Sequence, residues 1–174
     1  MFRKFFAATL LILTLIFAQT AQAMSFAMAT DGAKDLSNKY YARAREIAKK
    51  CVELRTYSDH GGAHAALVAV KSQEAADVVI RADFANPWYS SINKRELQIA
   101  AYMHDTGMDG GNFKDYTDGN ALRKDHSLNS AIHVLENRAE IEQFGVNVDA
   151  VALDCMGHSK SCSGVRDLTS WEQW

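Results

Sequence analysis

The 174-residue chain has one proline, Pro87, so few of its helices need be interrupted. No run alternates apolar and polar residues over a strand's length, which argues against a sheet. Internal repeats and low-complexity tracts are absent, which sets aside repeat arrays and compositionally biased linkers. No dense cluster of Lys and Arg occurs, so the electrostatic footprint of a protein that binds duplex nucleic acid is missing. Only three cysteines are present, Cys51, Cys155 and Cys162, and an odd number allows at most one internal bridge. No Ser-His-Asp order stands out. Ser127 and Ser130 lie near His126, but they read as helix-capping and packing residues.

What is present begins with an address. Arg3 and Lys4 precede an apolar run from Phe5 to Phe17, and Ala21-Gln22-Ala23 offers small residues for cleavage. This is the pattern of a secretory signal peptide, and the run is too short and wrongly flanked for a membrane-spanning helix. Residues 1–23 are therefore expected to be removed, leaving one domain over 24–174 with enough chain for a real core. No second membrane segment follows, so contact with a membrane is confined to export, and the product is periplasmic or secreted. Loss of Arg3 and Lys4 takes the formal charge from −2 to about −4, a mildly acidic balance. Export permits disulfides. Cys155 and Cys162 flank His158 and are the pair best placed to bridge; the other reading is three small buried or partly exposed residues.

The rest reads as helices. Leu36, Tyr40, Ala44, Ile47, Ala48 and Cys51 recur at steps of three and four between Asp35 and about Leu54, giving one helix with a buried stripe. Gly61-Gly62 interrupts. A second helix, Ala63 to about Ala82, carries Leu67, Val70, Ala75 and Val79, and Asn86-Pro87 marks a loop. A third, strongly apolar helix runs from Lys94 to His104, its end announced by Gly107. A loop of roughly twenty residues, rich in Gly, Asp and Asn, is expected next, with Asp109 and Asp118 as turn residues beside Gly110 and Gly119. A fourth helix is expected from Ser127 to about Phe144, with Ala131, Val134, Leu135 and Ile141 inward and Gly145 closing it. A fifth runs from Val148 to about Met156.

On this map His64 begins the second helix, His104 ends the third, His126 begins the fourth and His158 ends the fifth. Helix ends that converge are a natural way to build a polar site in an apolar bundle. His104 is followed by Asp105, and neutral imidazole with ionised carboxylate suits a hydrolytic divalent metal better than a thiolate set would. Elements in this order, with HAALVA at His64, HDTG at His104 and Asp105, DHSLNSA at His126 and MGHS at His158, resemble the HD-domain superfamily of metal-dependent phosphohydrolases. The two later histidines look like those of its binuclear branch. The resemblance covers about residues 60–160 and implies an all-α, HD-domain-like helical bundle.

Carried over residue by residue, it implies His64, His104, Asp105, His126 and His158 as ligands of one or two divalent metals, with iron or manganese suited to such donors. Asp105 would bridge two metals. His60, one turn before His64, reads first as a loop residue, although some trinuclear relatives carry a carboxylate ligand there. Asp105 and Lys124 are the catalytic candidates, and Arg123, Lys124 and Lys160 the candidate contacts to a small phosphorylated substrate. The chemistry implied is metal activation of water against phosphorus, with no protein nucleophile. Met108 stands where the family often has Lys, and SKSCSGVRD follows His158 in place of a GYP segment. The last Asp ligand normally lies on a later helix, and Asp167 in the tail is no clear match; TSWEQW looks like a helix cut short, so the domain is expected to be C-terminally incomplete. Two other readings stay open: a non-catalytic or degenerate helical metal-binding domain, and a related hydrolase or oxygenase acting on a non-phosphate substrate.

Overall fold

A computed structural model describes residues 26–49, 60–82, 86, 89, 91–110 and 119–159. Residues 1–23, read from the sequence as a signal peptide, and Cys51, Pro87, Asp118, Lys160, Cys162, Asp167 and the TSWEQW end lie outside the described residues. Among the described residues there is no strand; the fold is all-α. No described helix is long and apolar enough to cross a membrane. Residues 26–49 are helical (α1) and are followed by α2 (Gly62–Ala82) and α3 (Lys94–Met103). A 3₁₀ turn over Thr106–Asp109 leads towards α4 (Gly119–Glu136), a short α5 (Arg138–Glu142) and α6 (Val148–Gly157).

The centre is α3. Its residues Ile99 to Met103 are all buried, as expected of a helix apolar on every side over its second half. It packs between α2 and α6, while α6 lies on α4 and α4 on the 3₁₀ turn. Leu36 and Tyr41 of α1, Ala65 and Ala69 of α2, Val134 of α4, Ile141 of α5 and Val151 and Cys155 of α6 close one core around α3. A smaller core joins Met108 of the turn to Leu122 of α4, with Ala44, Ile47 and Ala48 of α1 against it.

Several expectations change. The buried stripe of α2 is Ala65, Ala69 and Ala76, whereas Leu67, Val70 and Val78 face outward and Ala75 is exposed. The physical reason is close approach: alanines let the α2 backbone settle on α3, and the same phase turns His64 towards Asp105. The roughly twenty-residue loop shrinks, because Thr106–Asp109 is already a 3₁₀ turn and α4 begins at Gly119. His126 therefore sits in the interior of α4 and not at its start, and Ser127 and Ser130 are packed inside the helix, not capping it. The fourth expected helix is also two, broken at Asn137; Ile141 is buried but Leu135 is exposed. Cys155 is a free thiol buried in the core, its Sγ donating to the Ala100 carbonyl at 3.7 Å, which agrees with the reading of a small buried residue and not with that of a bridge.

Candidate metal centre

Helix α3 delivers the central pair. Asn93 caps its start, its side chain accepting from the Arg95 and Glu96 amides, and His104 takes the C-cap position. Asp105 then swings into the interior, 1% exposed. A carboxylate so buried must be paired or bound to a cation.

Its partners are imidazoles. Asp105 Oδ2 lies 2.7 Å from His60 Nδ1, 3.4 Å from His64 Nε2 and 2.9 Å from His104 Nε2. Asp105 Oδ1 lies 3.3 Å from both His126 Nε2 and His158 Nε2. The rings follow one another around the carboxylate in the order His60, His64, His104, His158 and His126, with neighbouring centroids 4.9–5.4 Å apart. His60, read from the sequence first as a loop residue, thus makes the shortest of these contacts. The one signal pointing to it was its spacing of one helical turn from His64.

Three of the rings are fixed in the same way. Nδ1 of His104 donates to the Ala101 carbonyl at 2.8 Å, that of His126 to the Arg123 carbonyl, and that of His158 to the Cys155 carbonyl at 2.5 Å. Each bond reaches back three residues to a carbonyl of the ring's own helix. A proton on Nδ1 leaves Nε2 of the neutral ring as a bare lone pair, the tautomer that ligates metals. Yet Nε2 of His126 and His158 stand 2.9 Å apart, and both face a carboxylate oxygen. Lone pairs crowded in this way repel. Either second protons gather on several rings crowded around one carboxylate, or a metal cation supplies the positive charge. Burial raises the Asp105 carboxyl, but where the rings carry those protons the hydrogen bonds from His104, His126, His158 and His60 outweigh it and hold the group well below the usual carboxylate range.

The donor set fits a divalent metal. His60, His64 and Asp105 form one group able to hold an ion, and His104, Asp105 and His158 form another, with the carboxylate common to both. His126 adds its Nε2 on the Oδ1 side. All five ligand candidates read from the sequence are therefore brought together, and His60 joins them.

A cleft of about 510 Å³ opens beside the cluster, lined by His60, Asp105, Met108, Asn120, Arg123, Lys124, His126, His158 and Ser159. Arg123 and Lys124 line this cleft from the α4 turn that leads to His126. Met108, in place of a cation, gives the cleft an apolar lining and packs beneath against Leu122.

Gly107 explains why the HDTG turn can lie so close to α4. A Cβ there would meet the His126 carbonyl oxygen at 2.0 Å, Asn129 Cβ at 2.6 Å and the Ser130 amide nitrogen at 2.6 Å. Its amide donates to Ser130 Oγ at 2.8 Å, and that hydroxyl donates to the His126 carbonyl at 2.8 Å. Thr106 Oγ1 donates to the Met103 carbonyl at 2.7 Å and closes the other side. Asp109 is a turn residue beside Gly110, as expected, but it is buried, with Arg43 and His133 facing it.

Comparison of the chain with family models, with curated proteins and with solved structures returns no match.

Proposed function

We propose that this protein is a metal-dependent phosphohydrolase or phosphodiesterase acting on a small phosphorylated substrate. The observation that carries the reading is the set of five imidazole nitrogens within 2.7–3.4 Å of the two oxygens of one buried carboxylate. His60, His64, His104, Asp105, His126 and His158 would hold one or two first-row divalent ions. When bound, such ions supply Lewis acidity that acidifies water and offsets charge on a phosphate.

The chain's own groups do the rest. The three Nδ1–carbonyl bonds fix ring tautomer and direction, so little reorganisation is needed at the site. Asp105 presents one oxygen to each half of the cluster. Arg123 and Lys124 line the cleft with positive charge, which suits binding and orienting a phosphate group. Met108 and the packed turn restrict water on the opposite wall. No serine or cysteine nucleophile is invoked, in keeping with direct attack by water.

The test is metal content and hydrolysis together. Purified protein is expected to retain divalent metal in a fixed ratio and to hydrolyse a chromogenic phosphoester. His104→Ala and Asp105→Ala are each expected to lose both properties. Wild-type protein that takes up no metal, with stability unaffected by the double alanine variant, would overturn the reading. Bound metal without phosphoester hydrolysis would favour a metal-binding domain or a non-phosphate substrate.

A further inference from the structure

Asp109 is a second buried carboxylate that the proposed chemistry leaves unused. Its Oδ1 lies 3.3 Å from His133 Nε2 and its Oδ2 lies 3.4 Å from Arg43 Nη1. Tyr40 stacks on the His133 ring with centroids 4.0 Å apart. Asn137 Nδ2 donates to the Tyr40 hydroxyl at 2.6 Å and to the His133 carbonyl at 2.7 Å, which ties the stacked Tyr40 to the α4 backbone at His133.

Contacts between the 3₁₀ turn and α4 run in the same order along both elements. Asp105 Oδ1 meets His126 Nε2 at 3.3 Å, the Gly107 amide meets Ser130 Oγ at 2.8 Å, and Asp109 Oδ1 meets His133 Nε2 at 3.3 Å. The first and last rungs are the same chemical couple, a buried carboxylate oxygen against an Nε2 borne by α4. His126 and His133 stand about two turns apart on one face of that helix. What completes each carboxylate differs. Asp105 is ringed by further imidazoles, whereas Asp109 has the guanidinium of Arg43, reaching in from a half-exposed position on α1.

We propose that Asp109, with His133 and Arg43, positions Asp105 by holding the turn in register on α4. This rests on the metal reading above. The Asp105 rung needs second protons on its imidazoles or a metal cation to balance it; the Asp109 rung carries its own cation in Arg43. It therefore fixes the turn before metal arrives and keeps the Asp105 oxygens aimed at the place the metal takes, a preorganisation that raises affinity without touching the ion. Asp109 is a positioning residue and not a ligand.

Cobalt(II) titration of the full chain tests this. Asp109→Asn removes the charge at nearly constant shape and is expected to weaken cobalt binding ~10–100-fold, the usual range for groups that orient ligands, and to shift the visible cobalt absorption bands. Arg43→Ala, which leaves the core untouched, is expected to act in the same direction, and Arg43→Lys to recover most of the affinity. A purely structural role predicts a lower melting temperature with cobalt affinity and spectrum unchanged in the folded variants; that result would overturn the inference alone. Wild-type protein that binds no cobalt would overturn the metal reading, and this inference with it.

Discussion

Gly107 shows how much of the site depends on an atom that is missing. Its φ is not in the left-handed region, which among the described glycines is reached by Gly110 and Gly145, so backbone freedom is not its purpose. Its purpose is contact: the turn lies on the α4 backbone at a separation that admits no Cβ. Gly107→Ala would set a methyl group against a carbonyl oxygen and an amide nitrogen, neither of which can rotate away. The turn must lift from α4, lengthening the Gly107–Ser130 hydrogen bond and moving Asp105 with it. Overpacking of this kind costs about 1–3 kcal/mol. The expected result is a lower urea midpoint with an unchanged slope, together with weaker metal binding. A variant with wild-type midpoint and wild-type metal affinity would contradict the contact explanation.

Helices α3 and α6 start by the same device, and the two starts are linked. Asn93 Oδ1 accepts from the Arg95 and Glu96 amides, and Asn147 Oδ1 accepts from the Asp149 and Ala150 amides. Glu96 Oε1 in turn accepts the Asn147 amide at 2.9 Å, joining one cap to the other. Asn93→Ala and Asn147→Ala are each expected to lower stability by about 1 kcal/mol, read from chemical denaturation, because each strands backbone donors in a first helical turn. These helices were legible in the sequence from their apolar runs, although the two capping asparagines were not read there. So was the gathering of His64, His104, Asp105, His126 and His158, because several histidines recurring near successive helix ends point to one place even though each alone does not. The position of His126 was not legible. Gly119 to Asp125 has little apolar periodicity, and it is helical because Leu122 packs on Met108 and the helix lies on the turn. The inward face of α2 was hidden for the opposite reason: Leu67, Val70 and Val78 make it apolar nearly all round, and only contact with α3 selects the alanines. The burial of Asp109 was not legible because its partners, Arg43 and His133, are distant in sequence.

At the scale of the whole molecule, the buried polar groups make stability depend on acidity. Burial lowers the His133 pKa to about 4; Arg43 acts in the same direction and Glu136 opposes. In the unfolded chain the ring titrates at its ordinary value of about 6.5. Between those values the unfolded chain binds a proton at this position and the folded chain does not. Stability therefore falls as pH drops from about 6.5 to about 4 and levels off below, where both states are protonated. The full difference is at most about 3.5 kcal/mol, since each pKa unit corresponds to about 1.4 kcal/mol. His133→Gln removes the titrating group and should flatten this part of the curve, which isolates the contribution of His133. Urea unfolding of metal-free wild type and His133→Gln at pH 7 and pH 4.5 provides the comparison. The wild type is expected to lose more stability than the variant over that interval. Equal losses would mean that the folded protein admits a proton at His133 as readily as water does. That outcome would conflict with a ring buried under Tyr40 whose Nδ1 has no hydrogen-bond partner among the described residues.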